Sequence, residues 1–126
     1  MSVFRRFFAI AAYASLVSTA SIELQAQEFV PGFEDVPLAP GMIVQESEVL
    51  VFDSPTGRIA ETFATGAENW GKVAEFYRKS LEQLGWTLSG YSADGARFIR
   101  EGETLTLDRF GDDGALTVRF TLAPSG

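Results

Sequence analysis

The chain has 126 residues, with 17 acidic against 10 basic side chains, which gives a net charge of −7, and it contains neither cysteine nor histidine. Without these two residue types it lacks disulfides, thiolate nucleophiles, an imidazole base and the usual zinc ligands. The acidic balance disfavours phosphate backbones and anionic lipid surfaces, so we expect no nucleic-acid partner.

Residues 1–26 have the pattern of an export signal. Arg5 and Arg6 precede an apolar run over residues 7–17, and small residues follow it. The apolar run is shorter than the ~20 residues that a bilayer span needs, so we expect no membrane span in the mature protein. Loss of Arg5 and Arg6 leaves 8 basic against 17 acidic residues, a net charge of −9. The sequence therefore predicts an acidic protein that is periplasmic or secreted.

Two small-residue motifs are candidate cleavage points of this signal. One ends at Ala20 and the other at Ala26, so the exported form should start at Ser21 or Gln27, and we favour Gln27. Mass spectrometry of the exported protein measures the start directly. An intact chain retained in the cytoplasm would contradict the predicted export.

Residues 27–47 form an extended lead-in that is rich in proline and has no sustained periodicity. A solvated linker would not carry so many apolar side chains, so part of this segment should pack along the domain surface. The apolar residues in question are Phe29, Val30, Phe33, Val36, Leu38 and Met42. The alternative is a strap that binds a partner.

A single domain over residues 48–124 should begin with a β-hairpin. A β-branched and aromatic run is followed by Pro55 and Gly57, which favour a turn, and then by a return strand over residues 58–65. We expect Ile59 and Phe63 to point inward from the return strand.

A helix should follow the hairpin. Thr65 and Glu68 match a capping box at its start, and Gly85 matches a C-terminal stop. Its apolar face contains Trp70, Val73, Ala74, Tyr77, Leu81 and Leu84, opposite Glu68, Lys72, Glu75, Lys79 and Glu82. Gly71 lies inside the helix, where glycine usually indicates close backbone approach, so we expect the helix to cross the sheet nearest this residue.

Apolar side chains alternate with polar ones almost continuously from Trp86 to the end of the chain. This period of two predicts four further strands. The fold class is therefore α+β, with an antiparallel sheet of about five to six strands in the order ββαββββ and one helix packed on one face. We expect Leu88, Leu105, Leu107, Val118 and Phe120 to lie under the helix.

The opposite sheet face is the best candidate binding surface. It should present threonines around a central Arg119, namely Thr104, Thr106 and Thr117, together with Thr87, Ser89, Asp108 and Thr121. An arginine fork holds a carboxylate or phosphate, so an anionic ligand or acidic peptide would fit. The alternative is that Arg119 pairs with Asp108 across the sheet.

The first turn is a second candidate, because Ser54, Thr56 and Arg58 lie close together on a loop where ligand groups are often displayed. A calcium loop is not predicted at residues 108–113, because the glycine that such a loop needs at its sixth position is replaced by Asp113. We therefore expect no metal and no cofactor.

The motif over residues 52–59, followed by Val73, Phe76, Tyr77, Leu81 and the Leu84-Gly85-Trp86 phrase, resembles short exported bacterial proteins of uncharacterised function. The resemblance implies a fold and an exported location, and it carries no activity.

These features favour a non-catalytic periplasmic binding or protein-interaction domain, an accessory of the cell envelope, whose partner is an envelope protein or peptide. The alternatives are a small carboxylate-dependent hydrolase and an enzyme inhibitor that presents a loop. A close pair of buried carboxylates would favour the hydrolase. A flat apolar patch around Phe76 and the lead-in aromatics would favour the partner binder.

Overall fold

The computed structural model describes residues 28–33 and 35–125. The predicted export signal and both of its cleavage points lie outside the described residues. In chain order the elements are β1 (Met42–Val44), β2 (Leu50–Ser54), β3 (Gly57–Gly66), α1 (Trp70–Gln83), β4 (Thr87–Ser92), β5 (Gly95–Arg100), β6 (Glu103–Phe110) and β7 (Leu116–Pro124). A short 3-10 helix, Glu46–Glu48, joins β1 to β2.

All seven strands form one antiparallel sheet in the order β1-β3-β7-β6-β5-β4, and β2 pairs with β3. Because β7 occupies one edge of β3, β1 and β2 share its other edge. The α+β class and the order of the predicted elements are confirmed. The additional strand is β1, which pairs Ile43 with Thr65 and belongs to the segment predicted as a lead-in.

The apolar face of α1 packs on one face of the sheet, as predicted. Trp70, Val73, Ala74, Tyr77 and Leu81 are buried. The predicted pair of Glu75 and Lys79 is present at 3.5 Å. Leu84 was expected on the buried face and is 40% exposed, because the helix ends at Gln83 and Gly85 turns the chain away with φ of 90°.

The predicted capping box is wrong. Thr65 and Gly66 extend β3, because the ladder with β7 continues to the pair of Gly66 and Leu116. The helix begins at Trp70, where Asn69 is the N-cap and its side chain accepts from the backbone N–H of Lys72 at 2.8 Å. Asp113 accepts from the first N–H of the helix at 2.9 Å. Two side chains from different elements therefore satisfy the helix start.

The predicted inward face of β3 is also wrong. Ala60, Thr62 and Ala64 are fully buried, whereas Ile59 and Phe63 are half-buried on the opposite face. Small side chains are needed beneath α1 and the lead-in, because the neighbouring core positions hold large rings. Packing on α1 and the lead-in therefore decides which face of β3 is buried, although the opposite face of the strand is the more hydrophobic one.

The lead-in contributes much of the core on one side of α1. Its buried residues are Val30, Phe33, Val36, Leu38, Ala39 and Met42. Phe33 packs edge-on against Phe120, with ring centroids 6.2 Å apart. This packing goes beyond the surface contact that the sequence predicts for the segment.

The Tyr77 hydroxyl fastens the lead-in to the helix. It donates to the carbonyl of Pro37 at 2.8 Å and accepts from the backbone N–H of Ala39 at 3.0 Å. Burial raises the pKa of Tyr77, so the hydroxyl remains protonated and keeps its donor role at neutral pH. Tyr77 thereby supplies hydrogen-bond partners for the Pro37 carbonyl and the Ala39 N–H of the lead-in, which would otherwise be buried and unpaired.

Gly71 has no close neighbour in the sheet, so the predicted close approach is wrong. A Cβ at this position would meet only the Asn69 side chain, at 3.6 Å. Glycine costs a helix interior about 1 kcal/mol relative to alanine. We therefore expect Gly71→Ala to raise the free energy of unfolding by up to about 1 kcal/mol, measured by urea unfolding. A destabilised Gly71→Ala protein would show that the position is sterically constrained after all.

Candidate functional site

No helix or strand of the described residues covers the sheet face opposite α1, and we call it the open face. Its register places side chains in rows across the strands. One row joins Ile43, Thr65, Thr117 and Phe110, and the next joins Phe63, Arg119 and Asp108. A third row joins Leu50, Glu61, Thr121, Thr106 and Arg97. The structure thus brings Thr106, Thr117 and Arg119 together on neighbouring strands, as the sequence predicts.

Arg119 is engaged by its neighbours on the open face. Its Nη2 donates to Asp108 Oδ2 at 2.9 Å, and its guanidinium carbon lies 5.3 Å from the centre of the Phe110 ring. Both members of the ion pair are about one-third exposed, at 37% and 34%. The cross-strand pairing that the sequence offered as an alternative is present. A binding role for Arg119 stays a prediction, and its charge is already balanced by a carboxylate.

Thr104 lies at the end of the open face next to the C-terminal segment. Its hydroxyl and that of Ser125 are 2.7 Å apart, and it stands opposite Ala123 and Ile99 in the ladders. In the strand register, Thr104 therefore lies further from Arg119 than Thr106 and Thr117 do.

Large apolar side chains at exposed positions surround the polar centre of the open face. Their exposed fractions are 69% for Ile43, 52% for Leu50, 46% for Phe52, 46% for Phe110 and 41% for Ile99. Sequence reasoning missed this arrangement because it assigned the apolar side of β3 to the core. The register of the β2–β3 hairpin could have revealed these residues in the sequence. It pairs Phe52 with Ile59, so both side chains lie on the same face of the sheet.

The turn between β2 and β3 holds its predicted side chains in local hydrogen bonds. The Ser54 hydroxyl donates to the carbonyl of Gly57 at 2.7 Å and lies 3.2 Å from the Thr56 hydroxyl. Arg58 donates to the carbonyl of Gly32 in the lead-in. Arg58 is paired with Asp53, and the next pair along the ladder, Phe52 and Ile59, lies on the open face. Because successive side chains point to opposite faces of a sheet, Arg58 lies on the other face from Arg119.

A cleft of about 400 Å³ lies beside this turn, where the lead-in meets the ends of several strands. Thr56, Arg58, Trp86 and Arg100 contribute to its walls. Arg100 donates to Asp35 at 2.6 Å and to the carbonyl of Leu84 at 3.0 Å, and it stacks 4.3 Å from the centre of the Trp86 ring. The hydrogen bond that Arg100 donates to Asp35 raises the pKa of Arg100. The polar groups of this cleft therefore hold the lead-in on the domain.

A groove of about 270 Å³ lies on the other side of α1, over β4 and β5. Leu88, Tyr91 and the buried ring of Phe98 line it from the sheet, and Gly71 and Ala74 line it from the helix. Leu88 was expected beneath the helix, yet it is 39% exposed because the lead-in and α1 leave this end of the sheet uncovered.

The carboxylates of the described residues show no buried pair. The buried polar or charged residues within residues 28–33 and 35–125 comprise Thr62 alone. The observation that would favour a carboxylate-dependent hydrolase is therefore not met in this part of the chain. The described residues also contain no group of three or more acidic side chains placed to hold a metal ion.

Phe76 and the aromatic residues of the lead-in do not form the flat apolar patch that would favour a partner binder. Phe76 is half-buried and packs edge-on against Tyr77 at 5.1 Å, and Phe33 is in the core. Phe29 is exposed at 53%. Other exposed large apolar side chains lie on the open face and along β4.

None of the helices in the described residues has the length and apolar composition that crossing a membrane requires. No protein-family model, curated protein sequence or solved structure matches this chain.

Proposed function

We propose that the exported protein is a non-catalytic interaction domain of the cell envelope whose open face binds a partner protein. One observation carries this proposal: large exposed apolar side chains surround the Arg119–Asp108 pair on a sheet face that no element of residues 28–33 and 35–125 covers. Aromatic side chains and arginine are enriched at protein interfaces, and this face combines Phe52, Phe110 and Arg119. The predicted export signal supports a location of this activity outside the cytoplasm.

The charges of the open face favour a protein surface over a small anion. Asp108 balances Arg119, and Arg97 and Glu61 belong to the same neighbouring row. A bound carboxylate or phosphate would have to displace Asp108 from Arg119. A partner protein can instead pack on Phe110 and use the stacked arginine without breaking the ion pair, as arginine and aromatic side chains do at many interfaces.

The arrangement of side chains on the open face supports the same conclusion. The rows of the open face project side chains from successive strands, and threonines at the centre offer hydroxyls for hydrogen bonds with a partner backbone. The outer apolar residues can exclude water from those hydrogen bonds once the partner is bound.

Capture from envelope extract tests the proposal. The mature protein is immobilised, and retained proteins are compared by mass spectrometry for the unmodified chain, Phe110→Ala and Arg119→Ala. We expect both variants to lose the partner. Thermal stability should change little for Arg119→Ala, because an exposed ion pair contributes only about 0 to 1 kcal/mol.

Arg78→Ala is the matched control, because Arg78 is also an exposed arginine paired with a carboxylate, Glu75, at 2.8 Å on the far side of the molecule. It should retain the partner. Retention at full strength by both open-face variants would overturn the proposal, and so would a loss confined to Arg78→Ala. Deletion of the lead-in is not a usable control, because it removes core residues.

A further inference from the structure

The two edges of the sheet differ in how they are protected against pairing with another chain. At one edge, β1 and β2 are only three and five residues long, and the acidic 3-10 turn Glu46–Glu48 interrupts them. Asp53 lies on β2 and Pro55 follows it. Short strands, charged side chains, proline and β-bulges are among the features by which native proteins prevent unwanted pairing of sheet edges.

The opposite edge, β4, has one of these features, a bulge between Leu88 and Gly90, but neither charge nor proline. All six of its residues are exposed, and none is charged or proline. The strand lies within residues 83–93, a run without charged side chains in an otherwise acidic chain. The carbonyl of Ser92, at the turn end of β4, accepts from the indole N–H of Trp70 at 3.1 Å, so another strand would pair with the backbone nearer the middle of β4.

A bulge in β4 gives this edge an apolar side. The register shifts between Leu88 and Gly90, so that Leu88 stands opposite Phe98 and Tyr91 stands opposite Ala96. Phe98 and Ala96 both face the core. Although three positions apart, Leu88 and Tyr91 consequently lie on the same face of the strand, where they are 39% and 60% exposed along the groove.

We infer that a second copy of this chain pairs antiparallel with β4 and joins the two sheets into one. Charge supports a second copy as the occupant. Two acidic chains repel each other at long range, so they can approach closely only through a neutral surface, and β4 provides one. Leu88 and Tyr91 of each copy would then meet those of the other beside the grooves.

The two sheet edges also favour a second copy over an unrelated strand. A two-fold axis through the middle of β4 covers both unprotected edges at once and leaves only the protected β1 and β2 edges at the ends of the joined sheet. Antiparallel pairing in one continuous sheet keeps both helices on one side. The open faces remain free on the other side, so this inference does not depend on the proposed function.

Gly90 provides the test, because it lies at the middle of β4, nearest to the two-fold axis. A Cβ at this position would meet no atom within 4 Å, so Gly90→Glu can be accommodated by the isolated chain. In the pair, the two new carboxylates would face each other across the axis. Gly90→Gln has nearly the same size without the charge and is the matched control.

Sedimentation velocity of the chain from Gln27 onward measures association without any other ligand. We expect the unmodified chain to shift from one to two chain masses as its concentration rises, and Gly90→Gln to behave similarly. Gly90→Glu should weaken association at least about tenfold, as expected for like charges brought together. Hydrogen exchange at β4 amides should slow with concentration in the unmodified chain.

Two results would overturn the inference. One is a single chain mass for the unmodified protein at about 1 mM, a concentration at which even a weak interface associates. The other is association of Gly90→Glu at the strength of Gly90→Gln, which would place the contact elsewhere. Circular dichroism of Gly90→Glu verifies that the lost association is not caused by unfolding.

Discussion

Phe33→Ala should lower the free energy of unfolding by about 3 to 5 kcal/mol, the cost of truncating a large buried aromatic side chain. Phe33 is only 2% exposed and packs edge-on against Phe120 with ring centroids 6.2 Å apart. Its loss removes the aromatic contact and leaves a cavity beneath the lead-in. Urea unfolding followed by tryptophan fluorescence measures the difference.

Phe29→Ala is the matched control for this substitution. Phe29 belongs to the same segment and is 53% exposed, so its truncation should change stability by no more than about 1 kcal/mol. Equal effects of the two substitutions would mean that the lead-in is only loosely associated. The expected difference would establish that the segment belongs to the folded domain and cannot act as a free strap.

Leu81→Ala should cost about 2 to 5 kcal/mol, through lost transfer free energy and the cavity left behind. Leu81 is fully buried in the apolar face of α1. Its carbonyl accepts from the backbone N–H of Trp86 at 2.9 Å, and that bond does not involve the side chain. The measured cost therefore reports packing of the helix on the sheet.

Lys79→Ala, two residues earlier on the exposed side of the helix, should stay within about 0.5 kcal/mol of the unmodified protein. Its ion pair with Glu75 is exposed and long, at 3.5 Å. Similar unfolding curves for Leu81→Ala and Lys79→Ala would contradict the observed orientation of α1.

Periodic patterns made the helix and most strands predictable from the sequence. The apolar stripe of α1 and the alternation along β7 each repeat often enough to identify the element and its buried face. The hairpins were also predictable, because glycine and aspartate residues punctuate the chain at their turns. Local chemistry and tertiary packing agree in these elements.

The errors occur where a distant element decides the local structure. Thr65 and Glu68 form a plausible cap locally, yet pairing with β7 keeps Thr65 in a strand. Ala60 and Ala64 are less hydrophobic than Ile59 and Phe63, yet they face the core because the space under α1 and the lead-in is small. Neither outcome is encoded within a few residues of the position concerned.

The polar centre of the candidate site could be predicted from the sequence, but its apolar border could not. The clean alternation of β6 and β7 correctly placed Thr106, Thr117 and Arg119 on one face and offered Asp108 as a partner of Arg119. The exposed apolar residues around them depend on β1, β2 and the face of β3, which the sequence did not resolve. A face predicted to be polar therefore has an apolar border.

Photo-crosslinking in cells that export the protein tests whether the open face binds a partner protein. A photoreactive residue at position 110 lies on the open face beside Arg119, and the same residue at position 79 lies on the exposed side of α1. We predict one discrete heavier adduct from position 110 and none from position 79. An adduct from position 79 alone, or none from position 110 when the exported protein is abundant, would contradict the proposed function.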